Sequence, residues 1–351
     1  MSAVVPAISV VDVGEGGLLR HAVLCRARAR ALREDCLTIF PRAVTPFLPA
    51  LDGAARRWLT RSCSPYVPEI AQIAAALGFP GVWLLNGSYQ WACTSLAREE
   101  NGVPWLARTL DWPFPGLGRH TDVVLTKGTA GEYFSITWPG YAGVLTAMAP
   151  CRFAACINQA PMWRRTRHPW LRIYDLAANA LHTWVNIRHM PPDQLLRQVF
   201  ESCPAYAAAK SVLENTPVAR PVIYTLIGCA LGERCVIERT ENGFVTREEN
   251  TSAANDWVPG RPRWEARIAA ARFLTCSPAE AAARCRDRHD ALAGWRGSLS
   301  RRGFDWVKPP VLNPFTRLAV TMSPARALLR VAGYEMTSAG LPEQVTQVCE
   351  I

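Results

Sequence analysis

Lysine is nearly missing from this chain. Of its 39 basic residues only Lys127, Lys210 and Lys308 are lysine, and the rest are arginine. Such a bias, beside abundant alanine, reads as the composition of a GC-rich bacterial genome. The arginines are scattered apart from Arg26, Arg28, Arg30 and Arg33, so the formal charge of +10 describes a solvated surface, and no nucleic-acid partner is expected. Twelve cysteines are present without one Cys-x-x-Cys, and none of the six histidines sits in a local ligand pattern, so neither metal nor cofactor is expected. No run of about 18 apolar residues predicts a transmembrane helix. The first residues lack a basic stretch leading into an apolar one, so the expectation is a cytoplasmic protein with reduced thiols. Repeats, low-complexity tracts and linkers are missing too. What remains is 351 residues, 49% hydrophobic and 19% charged, enough for a large core.

Residues 1–92 read as mainly helical. Ile70, Ile73, Ala74 and Leu77 share one helical face, and Gly78 stops that helix. Val82–Leu85 reads as a short buried strand. From Cys93 the pattern turns to strands: 93–100, 103–111, 123–126, 133–137, 142–148 and 153–158. Helices follow at 173–189, 192–202 and 206–214, then strands at 222–229, 235–240 and 244–247. Two further helices are expected, at 264–274 and 278–292. The second opens with Ser277-Pro-Ala-Glu280, a capping box with proline at the first helical position. A strand at 318–322 and a helical 324–331 close the chain. Strands, helices, then strands suit an α+β domain of two sheets with helices packed outside.

Asn101-Gly102 is a strong two-residue hairpin signal. With that turn, Cys93 faces Leu110 and Ser95 faces Arg108, and alternation puts all four on one side of the sheet. Arg108 is then a diagonal neighbour of the Cys93 thiol, where a guanidinium favours the nucleophilic thiolate. Asp111 falls beside the Cys93 nitrogen, but three residues from Arg108 it points to the opposite face unless a bulge or strand end turns it. A cysteine in a hairpin beside an arginine is equally an ordinary structural arrangement.

The flanking residues carry more. Tyr66-Val-Pro-Glu-Ile70, Val82-Trp-Leu-Leu-Asn-Gly-Ser-Tyr89, Cys93-Thr-Ser95 and Arg108-Thr-Leu-Asp-Trp-Pro-Phe114 come first. Gly140-Tyr-Ala-Gly-Val-Leu-Thr146, Ile157-Asn158, Ile237-Glu-Arg239, Asn255-Asp-Trp257 and Pro310-Val-Leu-Asn313 follow. This ordered set resembles the acid ceramidase and N-acylethanolamine acid amidase family. That family stands with choloylglycine hydrolases and penicillin acyltransferases among the N-terminal-nucleophile (Ntn) hydrolases. The resemblance runs over roughly residues 64 to 320. It implies a four-layer αββα sandwich of two antiparallel sheets, and self-cleavage of the Ala92–Cys93 bond. The products would be a helical 1–92 segment and a catalytic 93–351 segment, held together as a non-covalent heterodimer.

Carried over residue by residue, the resemblance makes Cys93 the nucleophile, Arg108 its electrostatic partner and Asp111 the contact of its freed amine. It makes Asn158 and Asn255 the oxyanion donors. A later family arginine matches Arg263 best, with Arg267 close behind. Trp112, Phe114, Trp138 and Tyr141 flank the motifs and could line an apolar acyl pocket. The expected partner is a linear N-acyl amide, and homo-oligomerisation stays open. Three features depart from the family: the Cys-to-Arg and Cys-to-Asp gaps are one residue shorter than in its lysosomal members, Gln90 stands where a glutamate is usual, and the segment before Cys93 is short. Two other functions stay in view, an acyltransferase passing the acyl group to an amine, and a non-catalytic binding homologue.

Overall fold

The computed structural model describes residues 5–88, 92–166, 168–186, 188–249, 251–266, 276–337 and 340–351. The chain begins with β1 (Ser9–Gly14) and five helices, α1 (Gly17–Leu24), α2 (Arg26–Leu37), α3 (Leu48–Arg61), α4 (Val67–Leu77) and α5 (Val82–Gly87). Seven strands follow: β2 (Ala92–Glu100), β3 (Val103–Asp111), β4 (Asp122–Gly128), β5 (Gly131–Thr137), β6 (Thr146–Ala149), β7 (Phe153–Gln159) and β8 (Met162–Trp163). Next come α6 (Arg172–Asn186), α7 (Pro192–Ser202) and α8 (Tyr206–Asn215), then β9 (Val222–Ile227), β10 (Arg234–Arg239), β11 (Phe244–Arg247), β12 (Ser252–Ala253) and β13 (Trp264–Glu265). The last elements are α9 (Pro278–Gly294), β14 (Thr316–Ser323), β15 (Leu328–Met336), β16 (Pro342–Gln344) and β17 (Cys349–Glu350).

Two sheets face each other. One runs β1-β4-β5-β6-β7-β9-β10-β11, and the other runs β12-β2-β3-β14-β15-β16 with β17 also on β15. Between them lies a core that includes Leu106, Leu110, Val320 and Met322 from one sheet and Ala154 and Cys156 from the other. Ser95 on β2 and Thr225 on β9 bond across the gap, oxygen to oxygen at 2.8 Å. Helix α7 buries Leu195, Leu196, Val199 and Phe200 on the outer side of the first sheet, with Phe200 against the rings of Phe153 and Tyr133. Over the second sheet, Leu292 of α9 packs with Leu96, Trp105 and Trp306. The layers are helix, sheet, sheet, helix, as α+β reasoning expects. One pairing departs from an all-antiparallel reading: β1 runs parallel to β4, so the N-terminal segment owns an edge strand of the first sheet.

Local chemistry explains several boundaries. Helix α4 buries Ile70, Ile73 and Leu77 and ends at Gly78, whose φ of 70° is the left-handed conformation glycine adopts without strain. Helix α9 has its capping box, with the Ser277 hydroxyl accepting from Glu280 N at 3.2 Å and Glu280 accepting from Ser277 N at 2.7 Å. Three expectations are corrected. Val82–Leu85 is helix, because Asp52 accepts from Leu84 N at 2.9 Å in the first turn and Asn86 ties the last turn to Gly140 O and Ala142 N. A short apolar run does not by itself separate buried strand from buried helix. Residues 324–331 form one short helical turn and then β15, whose backbone pairs with β14. Trp264 and Glu265 are not helical but pair with β8, and residues 267–275 lie outside the described set.

Candidate active site

The β2–β3 hairpin positions the chemistry. Asn101 and Gly102 have φ of 53° and 75°, the double positive φ of a two-residue turn. Ser95 stands opposite Arg108 and Cys93 opposite Leu110, in the register expected. Arg108 Nη2 donates to Cys93 Sγ at 2.7 Å, and Nη1 donates to Leu145 O at 3.0 Å and to the Thr146 hydroxyl. The thiol is fully buried. Burial pushes it up to about 12; Arg108 pulls the other way, Asp111 and Cys156 push it further up, and Arg288 lowers it. The guanidinium acts in the direction expected, but with the Ala92–Cys93 peptide intact desolvation outweighs it.

The Cys93 backbone is held by side chains. Strand β12 pairs with Leu96 and Ser95 and goes no further. Beyond its end Asn255 takes over: its Oδ1 accepts from Cys93 N at 2.8 Å, while its Nδ2 donates to Gln159 O at 2.9 Å. Asn158 donates from Nδ2 to Ser95 Oγ, Ala253 O and Ala254 O at 3.1–3.2 Å. Asn255 therefore touches Cys93 itself, whereas Asn158 touches Ser95, two residues further along β2. In this state both amide nitrogens serve backbone carbonyls, and Asn255 offers Cys93 an acceptor.

No bulge turns Asp111. It sits on the face opposite Arg108, in regular register with Ala92. The irregularity lies in β14 between Thr316 and Leu318, and the Thr316 hydroxyl donates to Asp111 Oδ1 at 2.9 Å. Asn313 Nδ2 donates to Oδ2 at 2.7 Å. Burial raises the pKa of this carboxyl, while Arg288, Asn313 and Thr316 lower it.

Arg288 connects the two faces. From α9 its Nη1 donates to Cys93 O, Thr94 Oγ1 and Asp111 Oδ2, each at 3.1 Å, and its Nη2 donates to Asn255 Oδ1 at 3.0 Å. Asp111 thus reaches the nucleophile through Arg288. The sequence reading missed this residue, although a signal exists. Ala281, Cys285, Arg288 and Leu292 form the buried stripe of α9, so an arginine occupies an apolar register position. Arg263, the arginine preferred from the resemblance, is not brought to the thiol. It is an exposed turn residue with φ of 64°, its carbonyl accepting from Arg164 N at 2.7 Å. Arg267 lies outside the described residues, as do Tyr89, Gln90 and Trp91 before the nucleophile.

Beside the hairpin is an apolar cavity of about 140 Å³, bounded by α2, α3, α4, α5 and the turn after β3. Trp112 and Phe114 line it with Leu32, Phe40, Leu48, Leu77 and Leu85. Arg33 also reaches the wall, but its Nε donates to Pro80 O at 2.8 Å. Trp138 and Tyr141 stand behind the wall. Trp138 meets Trp112 edge to face at 5.7 Å and donates to Leu117 O, and Tyr141 donates to Asp193 at 2.8 Å.

No family model matches the chain. Its curated relatives are N-acylethanolamine-hydrolyzing acid amidases. The rabbit (Oryctolagus cuniculus) enzyme is 28% identical over 165 residues, 46% of this chain and 43% of its own length. The mouse (Mus musculus) enzyme is 26% identical over 187 residues, 51% of this chain and 48% of its own. The chain therefore spans about half the length of the curated relatives it matches. Among solved structures, the Caenorhabditis elegans N-acylethanolamine-hydrolyzing acid amidase ortholog aligns with a TM-score of 0.43 at 19% identity, over 66% of this chain and 93% of that one. A conjugated bile acid hydrolase mutant from Clostridium perfringens aligns with a TM-score of 0.35 at 10% identity, over 74% of this chain and 96% of that one.

Proposed function

We propose that this chain is a cysteine amidohydrolase of linear N-acyl amides, activated by cleavage of its own Ala92–Cys93 bond. The observation that carries the reading is the treatment of the Cys93 backbone. A buried strand residue has its nitrogen held by an asparagine side chain, its carbonyl by an arginine and its sulfur by a second arginine. Ordinary strand residues satisfy these backbone groups within the ladder. Here the acceptor on nitrogen is placed to hold an amine as well as an amide.

In the first step the Cys93 thiol adds to the Ala92 carbonyl, and the C–N bond breaks as its nitrogen takes up a proton. This N-to-S shift leaves a thioester and frees the Cys93 α-amine, and water then opens the thioester to a carboxylate on Ala92 and the free Cys93 thiol. Such an amine titrates near 7.7–8.0, so at neutral pH on the order of a tenth of it is free to accept the thiol proton. Asn255 Oδ1 would accept from that amine and aim its lone pair at sulfur. The thiolate then adds to the substrate carbonyl, the protonated amine leaves, and water releases the acyl group as the acid.

The apolar cavity supports the choice of acyl group. Its walls are aliphatic and aromatic, and the one guanidinium among them already has a carbonyl partner, so a hydrocarbon chain suits it better than a charged group. The test is mass spectrometry of the purified chain followed by assay on N-acyl amides of graded chain length. The expected result is a fragment beginning Cys-Thr-Ser and release of free acid. A whole chain that hydrolyses the amides would overturn the processing step. Acyl transfer to an added amine, with no free acid, would replace hydrolysis by transfer.

A further inference from the structure

We propose that His21, Cys25 and Asp122 form a binding site for a zinc-class divalent cation, clipping the segment before Cys93 to the first sheet. Among the described residues these three each offer a ligand atom within 4.8 Å of the other two. Four residues apart on α1 and its end, His21 and Cys25 project from one helical face. Asp122 arrives 97 residues later at the start of β4, so local spacing gives no hint of the set.

The donor chemistry fits. Imidazole, thiolate and carboxylate are the ligands zinc takes, and three protein ligands leave a fourth position for water. His21 is fully buried, with Nε2 at 2.9 Å from Asp122 Oδ2 and Nδ1 buried without a hydrogen-bond partner among the described residues. A wholly buried imidazole with one nitrogen unmet is costly as a structural element alone. Cys25 is only partly buried and its thiol makes no hydrogen bond among the described residues, so an ion can enter from its side. Arg28 donates to the other Asp122 oxygen and to Thr121 O at 3.2 Å. A donor on the free oxygen is the usual outer partner of a ligating carboxylate, fixing which oxygen faces the ion. Tetrahedral bonds of about 2.0–2.3 Å set ligand atoms roughly 3.2–3.8 Å apart, so from a set within 4.8 Å the ion needs only small side-chain adjustments, including a slight opening of the His21–Asp122 pair at 2.9 Å.

Charge is balanced as well. On binding, the Cys25 thiol gives its proton to solvent, and the dication, thiolate and carboxylate sum to zero. Arg28, 30% exposed, is left as the remaining charge and is partly solvated. The consequence is mechanical: β1 already pairs with β4, and an ion would add a coordinate link between α1 and that strand.

The test uses the full chain, stripped by a chelator and titrated with Co²⁺, whose thiolate charge-transfer band reports sulfur ligation. The expected result is one equivalent bound, a tetrahedral visible spectrum and a thiolate band. Cys25→Ser should lose the band, and His21→Gln should weaken binding by more than the roughly 10–100-fold that loss of an outer partner costs. Cys93→Ala should keep both spectrum and affinity, which separates this site from the nucleophile whatever reaction the latter performs. Melting without metal controls for folding, and Zn²⁺ should raise Tm in the parent but not in Cys25→Ser. No thiolate band, a band that survives Cys25→Ser, or one that vanishes in Cys93→Ala would each overturn the site.

Discussion

Replacing Arg288 by methionine removes four hydrogen bonds from the nucleophile's surroundings and leaves Asp111 buried without its cation. Breaking a buried ion pair from one side costs about 3–5 kcal/mol. Asp111 keeps Asn313 and Thr316 as donors, so the low end, about 3 kcal/mol, is expected. An unfolding entropy of about 2.1 cal/mol/K per residue makes that a fall in Tm of about 4 °C for 351 residues. The measurement belongs in a Cys93→Ala background, where the state of the Ala92–Cys93 bond is the same in both proteins. A pH series adds a second check. Burial already raises the Asp111 pKa, and losing Arg288, which lowers it, raises it further. The raised native pKa means that ionisation opposes folding. The penalty is therefore absent below the unfolded value near 3.9 and grows as pH rises towards the native value. The Tm deficit should shrink on acidification. With Cys93 restored, amide turnover should fall strongly, because Asn255 loses the donor that holds its oxygen on the Cys93 nitrogen. A variant with unchanged Tm at every pH and turnover within twofold of the parent would refute the role drawn for Arg288.

Three further outcomes follow from the same geometry. Cys93→Ala should remain a whole, inactive chain, and Cys93→Ser should be partly cut but nearly inactive, as mass spectrometry beside an acid-release assay would record; cleaved, active Cys93→Ala removes the nucleophile assignment. Asn255→Ala should bind a long-chain amide nearly as well as the parent yet lose on the order of 10² or more in kcat, because the Cys93 nitrogen that takes the thiol proton loses its acceptor, and a change confined to KM would argue against it. Phe114→Ala should enlarge the cavity and move the preference towards longer or bulkier acyl chains in competition assays, whereas an unchanged profile would place the acyl group elsewhere.

The hairpin was legible because Asn-Gly demands one turn type and the turn then sets the register of Cys93 against Leu110. Helix α4 and the capping box of α9 were legible for the same reason: their signals are contained within a few residues. What escaped depends on distant partners. Val82–Gly87 is helical because Asp52 and Asn86 satisfy its ends, and neither interaction is visible in an apolar run of four. Alternation put Asp111 on the face opposite Arg108, where it stands, but gave no sign of the arginine that meets it there, since Arg288 comes to it from 177 residues away. Arg263 drew attention through motif order, while Arg288 lay in a helix crowded with arginines, marked out by its register alone.

The parallel pairing of β1 with β4 has a consequence for assembly. The helices before Cys93 share their core with Val124 and Ala142, and their strand completes a sheet edge. Were the chain cut after Ala92, those contacts would persist, but the two pieces would no longer find each other at the high local concentration that a covalent tether enforces. Refolding would become second order in protein. A cut molecule, once denatured in dilute solution, would stay apart, so its working lifetime would be governed by how slowly it opens rather than by how stable it is at equilibrium.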